Sequence, residues 1–242
     1  MTLPSNQHAE DPVEVARQAL ADAVEALAAD GCVAFPSETV WGLAARARSQ
    51  PAITALEAVK GRPEGQPISI LVSGPDALEE CGFEVGSVAR SLMEEFWPGP
   101  LTLVLPCRSI FAQGIARGDG SVGVRCSSHP LAAQLVALAE AGGLGPLTAT
   151  SCNRSGEPPA RSEGEARALA GDSTQALHIL PAGPYEAGRG APTTVVDLSC
   201  DPPRVLREGG ISAEALQPWA ETLEGVNPDP AAGRPHTGDV SA

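Results

Sequence analysis

Apolar positions along the first sixty residues alternate between a helical and a strand period. In "DPVEVARQALADAVEALAADG", Val13, Ala16, Leu20, Val24 and Leu27 recur every three or four residues, which predicts an amphipathic helix facing a core. Asp11 is placed to cap it, Pro12 suits its first turn, Glu14 stands at the capping-box position and Gly31 can end it. The unbroken "CVAFP" reads as a short buried strand, followed by a polar turn, "SETVWGLAA". "PAITALEAVKG" predicts a second helix with Ile53, Leu56 and Val59 on its apolar side; Lys60 closes it and Gly61 breaks it.

Further on, "ISILV" predicts a strand and residues 85–96 a helix stopped by "WPGP". "LTLVLPC" and "SVGVRC" predict two strands around a loop that includes 109–119. "HPLAAQLVALAEAGG" predicts a helix, "LTATS" a strand and "NRSGEPPARS" a loop of turn formers. Three more strands ("ALHIL", "TTVVDL", "RVLRE") and a last helix ("SAEALQPWAETL") complete the pattern. Residues 1–10 are polar, and from Gly225 onward Pro, Gly, Asn and Asp follow without apolar period. The expected organisation is a flexible N-terminus (1–10), one domain (11–224) and a disordered tail (225–242). Irregular alternation without a compositional break predicts a single α/β domain: a mixed, twisted sheet with flanking helices and its chemistry on short loops.

Composition narrows the function classes. At 242 residues the chain can bury a good core, and with 3% aromatics that core should be Ala, Val and Leu. A formal net charge of −14 argues against a protein that coats nucleic acid, yet leaves room for a local positive cleft. The 6 cysteines and 4 histidines are widely spaced with no C-x-x-C pair, which speaks against zinc and for reduced thiols. No apolar run reaches the roughly twenty residues of a membrane span, and "MTLPSNQHAEDP" lacks the regions of a signal peptide. A cytoplasmic protein without membrane attachment is expected.

The loops after strands carry small hydroxyls, Gly, Pro and isolated cations. Ser37, Glu38 and Thr39 follow one strand; Lys60 and Arg62 sit in "VKGRP"; Ser151, Asn153 and Ser155 sit in "TSCNRSG"; Arg207 sits in "RVLREGG". Each has an ordinary structural alternative. Ser37, Thr39 and Asn153 are also turn residues, Lys60 also suits a helix C-terminus, and Arg207 also suits a surface ion pair. Arg125 lies in the apolar strand "VGVRC", where a buried guanidinium needs an anion, either Glu38 or a ligand carboxylate. Lys60 is the single lysine beside fifteen arginines. Neither G-x-x-x-x-G-K-[ST] nor G-x-G-x-x-G occurs, so the residues by themselves reach only an anion-binding cleft, with a nucleotide as one candidate.

Taken together, these segments resemble the YrdC-like family of threonylcarbamoyl-adenylate synthases over 13–223. "PSETVWGL" resembles the family's P-T-[DE]-T-[VL]-Y-G-L, Lys60, Arg62 and Pro63 its K-x-R-P, and "FWPGPLTLVL" its W-P-G-P-L-T segment. "VGVRCSSHP" resembles V-x-V-R-x-P-x-H-P, "TSCNRSG" the S-x-N…S-G segment, "PTTVVDL" S-T-[VI]-[VI]-D, and "RVLREGG" R-x-G.

The resemblance implies a YrdC-like domain with a concave, positively lined cleft. It implies synthesis of threonylcarbamoyl-adenylate from L-threonine, bicarbonate and ATP with Mg²⁺, releasing pyrophosphate: a nucleotidyltransferase of tRNA modification. The tRNA threonylcarbamoyl transferase proteins would be its partners, and any contact with tRNA itself weak or transient. By motif position, Lys60 and Arg62 are the catalytic cations, Lys60, Arg62, Ser151, Asn153 and Arg207 contact ATP, and Ser37, Arg125 and Thr193 hold threonine; no protein residue is implied as a metal ligand. The chain departs from the pattern at Ser37 for Thr, Trp41 for Tyr, Ser127 for Pro and Thr193 for Ser. Two alternatives accompany this expectation: a paralogue using another carbamoyl acceptor or carbamoyl-adenylate, and a non-catalytic RNA-binding module.

Overall fold

A computed structural model describes residues 12–61, 67–173, 175–185, 187–188 and 190–225. The expectations for the N-terminus, the Asp11 cap, Arg62 and the tail beyond Gly225 lie outside the described residues.

Helix α1 (Pro12–Ala28) buries Leu20, Ala23 and Leu27. The chain reverses after it at Asp30 (φ 59°) rather than at Gly31. Asp tolerates this left-handed conformation, and here its carboxylate accepts Ser49 Oγ (2.6 Å) and Arg46 Nη1 (3.1 Å). Strand β1 (Cys32–Phe35) is buried throughout. Its alternate residues reach different clusters: Val33 and Phe35 pack with α1, while Cys32 and Ala34 join the larger core. Burial on both faces is why this strand reads as an unbroken apolar run.

"SETVWGLAA" is only partly a turn. Its apolar end forms β2 (Gly42–Ala44), which folds back antiparallel on β1 in the register Phe35↔Gly42 and Val33↔Ala44. Helix α2 (Gln50–Lys60) is capped by Ser49 and ends at Gly61 in the left-handed conformation (φ 56°). There follow β3 (Ile70–Leu71), α3 (Ala77–Glu80), α4 (Ser87–Phe96), β4 (Leu101–Pro106), β5 (Ser121–Arg125) and α5 (Pro130–Ala141). The remaining elements are β6 (Leu147–Thr148), β7 (Thr150–Ser151), α6 (Glu163–Gly171), β8 (Leu177–Ile179), β9 (Thr194–Asp197) and β10 (Arg204–Arg207).

Pairing is mixed, as expected, but the strands divide into two sheets, ordered β7-β2-β1-β8 and β10-β9-β4-β5-β3-β6. The division falls inside "LTATS", which is not one strand. Leu147 and Thr148 pair with β3, Thr150 and Ser151 pair with β2, and the Ala149 N–H donates to Ser69 O (2.7 Å). Five residues thus tie the two sheets together, and a cavity lies where the sheets meet.

Three further elements differ from the pattern, the first being the one-turn helix α3, which the sequence pattern does not predict. Helix α6 is additional; Ser162 Oγ accepts the Glu165 N–H (3.3 Å), the cap of an S-x-x-E sequence. The expected last helix is reduced to a 3-10 turn (Gln217–Trp219), because Pro218 removes an N–H and clashes with the preceding turn. No described helix is long and apolar enough to cross a membrane.

Candidate functional site

The cavity measures about 450 Å³ and draws its walls from both sheets. Six of the eight residues singled out in the sequence line it: Ser37, Arg125, Ser151, Asn153, Thr193 and Arg207. Arg62 is outside the described residues, and Lys60 stands behind the wall.

The turn after β1 supplies one side. The Ser37 hydroxyl donates to Val40 O (2.6 Å) and lies 3.1 Å from Thr39 Oγ1. With its proton on Val40, Ser37 can offer a ligand only oxygen lone pairs, in competition with Thr39. Between them, Glu38 turns the other way: Oε1 accepts Arg125 Nη2 and Oε2 accepts Ser127 Oγ. The anion demanded by Arg125 is therefore Glu38, and their pair joins the first sheet's turn to the end of β5. The main chain is held close here. A Cβ on Gly188 would lie 1.7 Å from Glu38 O, and the Gly188 N–H donates to Ser37 O (2.7 Å). Trp41, 1% exposed, forms part of the cavity wall and its backbone bonds Cys152 N (2.8 Å) and Ala160 O (3.0 Å).

The second sheet supplies the opposite side. Thr102 faces Arg125 directly across β4 and β5. The Thr102 and Thr193 hydroxyls are 2.9 Å apart. Arg207 donates to Thr193 O from Nε (3.0 Å) and Nη2 (2.8 Å), and to Thr193 Oγ1 from Nη2 (3.0 Å). A β-bulge between Val205 and Arg207 re-aims this arginine into the cavity and leaves Leu206 exposed. Thr193 Oγ1 accepts from Arg207, and one hydroxyl proton lies between the two threonines, so one remains to be donated to a ligand.

Arg125 and Arg207 face the same space. Burial, and next the like charge of Arg125, push the Arg207 guanidinium below its ordinary value. Among the described residues no carboxylate pairs with Arg207. Arg125 Nε is buried without a hydrogen-bond partner. An anionic oxygen between these guanidiniums would relieve both conditions. Buried thiols nearby are inert: burial drives Cys152 up to about 12 and Cys126 up to about 11.

At the third side, Lys60 Nζ donates to Ser151 O (2.6 Å), Asn153 O (3.1 Å) and Asn153 Oδ1 (3.2 Å). The site also holds residues that sequence reasoning missed, chiefly Thr102 and Glu157. Thr102 had a signal, a hydroxyl in an otherwise apolar strand; its meaning depended on the parallel pairing of β4 with β9.

Comparison with known proteins identifies relatives in sequence and in fold. Residues 25–209 match the model of the Sua5/YciO/YrdC family, described as "Telomere recombination". The Bacillus subtilis threonylcarbamoyl-AMP synthase is 36% identical over 200 residues, covering 82% of this chain and 55% of that protein. The Chromohalobacter salexigens threonylcarbamoyl-AMP synthase is 37% identical over 180 residues, covering 74% of this chain and 92% of that protein. A crystal structure of Pyrococcus abyssi Sua5 complexed with L-threonine superposes with a TM-score of 0.72 at 31% identity, covering 88% of this chain and 59% of that one. The chain therefore spans little more than half the length of the Bacillus and Pyrococcus relatives. Across most of its length, in fold as in sequence, the chain belongs to the Sua5/YciO/YrdC family.

Proposed function

We propose that this chain is a nucleotidyltransferase that makes threonylcarbamoyl-adenylate from L-threonine, bicarbonate and ATP, releasing pyrophosphate. The observation that carries the reading is the pair of guanidiniums, Arg125 and Arg207, turned toward one cavity with a spare hydroxyl proton between them. Relatives named for this activity, and one solved with L-threonine, support the choice of substrate. The volume, about 450 Å³, falls in the roughly 300–1,000 Å³ range of small-molecule sites.

Arg125, with Thr193 and Thr102 beside it, receives the threonine carboxylate, and oxygen lone pairs of the Ser37 turn face the amine. The amine and bicarbonate condense to a carbamate with loss of water. A carbamate oxygen attacks the α-phosphorus, and the bond to pyrophosphate breaks. Negative charge grows on phosphoryl and leaving oxygens, where Arg207 acts as a fixed cation and Arg62, by motif position alone, supplies a second, so catalysis is positioning plus electrostatics. ATP enters as its Mg²⁺ complex. Glu157 is the carboxylate in the cavity wall that would face that ion. Ser151 and Asn153, with Lys60 behind them, form the nucleotide side. The mixed anhydride product would pass, in the cytoplasm, to transferase proteins that modify tRNA.

Pyrophosphate release with threonine, bicarbonate and ATP omitted in turn tests the reading. Turnover should need all three. Release that is independent of threonine, or absent from the complete mixture, refutes it.

A further inference from the structure

The single lysine of the chain is buried beside the cavity. Lys60 is 3% exposed at the last position of α2, and its ammonium meets Ser151 O, Asn153 O and Asn153 Oδ1. Three of the acceptors around this ammonium thus belong to one short segment of protein. The bonds of that segment radiate from the same residues. Asn153 Oδ1 also accepts Ser151 Oγ (2.6 Å), while Asn153 Nδ2 donates to Arg154 O (2.8 Å) and Glu157 O (2.7 Å). The Ser155 N–H returns to Lys60 O (2.7 Å). With Oδ1 drawn to Lys60 and Ser151, the amide of Asn153 has only one orientation that satisfies it. Ser151 and Asn153 line the cavity, whereas Lys60 is one layer behind them.

We infer that Lys60 is a positioning residue: its ammonium is the post around which residues 151–155 fold, and it places Ser151 and Asn153 against the nucleotide instead of meeting a phosphate itself. This also accounts for a lone lysine among fifteen arginines. A compact ammonium can converge on three acceptors around a point, which the flat fork of a guanidinium cannot do. The inference deepens the synthase reading and rests on it.

Kinetics of pyrophosphate release in Lys60→Met, Lys60→Arg, Asn153→Ala and the Lys60→Met/Asn153→Ala pair test it. Positioning predicts a KM for ATP raised about tenfold or more in Lys60→Met, with the KM for threonine within about twofold. Lys60→Arg should be as impaired, and the double variant no worse than Lys60→Met, because both changes dismantle one arrangement. A direct phosphate ligand gives losses that multiply and an arginine variant that keeps part of its ATP affinity; either result overturns the inference.

Amide hydrogen exchange over 151–157 in ligand-free protein supplies a readout independent of turnover. Lys60→Met should exchange about tenfold faster there, and unchanged exchange overturns the inference. If Lys60→Met does not fold, Asn153→Ala carries the same exchange test with the same two outcomes. Wild-type protein that lacks threonine-dependent release counts against the synthase reading, and exchange then decides the positioning role alone.

Discussion

Replacing Glu38 by alanine strands the Arg125 guanidinium. The two side chains are 16% and 13% exposed, so water can repair little of the loss. At about 4 Å and an effective dielectric near 20, the attraction between unit charges is roughly 4 kcal/mol. The same carboxylate also accepts Ser127 Oγ, and Arg125 Nε has no partner to fall back on. Breaking one side of such a buried pair costs about 3–5 kcal/mol. For a domain of this size each kcal/mol moves Tm by about 2–4 °C, so Glu38→Ala should melt roughly 10 °C below wild type. Glu38→Gln should fall about half as far, since its amide oxygen can serve Arg125 while its amide nitrogen donates to Ser127 Oγ. Calorimetry of ligand-free protein at neutral pH measures both. Added threonine should recover more of the loss in Glu38→Ala than it adds to wild type, because its carboxylate replaces the missing counter-ion. A Glu38→Ala protein melting within about 2 °C of wild type would refute the claim that this ion pair holds the sheets together at the site.

Two other outcomes follow from the same geometry. Asp197 is 1% exposed and bonded by Arg117 (2.7 Å) and Ser199; burial pushes its carboxyl up, but those bonds together outweigh it and hold it below the ordinary 3.8. A carboxyl lowered by folding contributes stability that is complete above its unfolded value and is lost as pH falls through its folded one. Urea midpoints should therefore drop below about pH 4 in wild type, while Asp197→Asn starts about 2 kcal/mol lower at neutral pH and falls less on acidification; parallel pH profiles would count against this role. Gly188→Ala would place a Cβ 1.7 Å from Glu38 O, so the Ser37–Glu38 turn must move and the KM for threonine should rise by about tenfold or more. An unaffected KM would show that this turn is not part of the threonine subsite.

Much of the fold was legible because its elements obey local rules. The apolar stripe of α2 and its Gly61 stop are sequence-local, and the helix agrees there with what the sequence predicts; its Ser49 cap was equally local and went unread. The failures have non-local or opposing causes. "LTATS" divides between sheets because Thr148 is drawn to Ala45 O (2.8 Å) and Ala149 to Ser69 O (2.7 Å), partners far away in sequence. Helix α6 is mostly Ala, Glu and Gly with a weak apolar stripe, although its Ser162 and Glu165 pair was readable. At the C-terminal end the opposite happened: a plausible apolar pattern in "SAEALQPWAETL" yielded to one proline.

The site was legible as a set of residues but not as an arrangement. Motif order brought Ser37, Arg125, Ser151, Asn153, Thr193 and Arg207 to one cavity, and local chemistry required an anion for Arg125. Nothing local could assign each proton. Ser37 spends its hydroxyl on Val40, Arg207 spends three bonds on Thr193, and Lys60 spends its ammonium on a loop some ninety residues away in sequence. Such commitments change what a residue can do for a ligand. A side chain already satisfied by protein can still decide binding, because removing it displaces the groups it holds; its loss then appears in the affinity of a ligand it never touches. By that reasoning a motif identifies which residues a site depends on, and the donor and acceptor count in the folded chain decides which of them meet substrate.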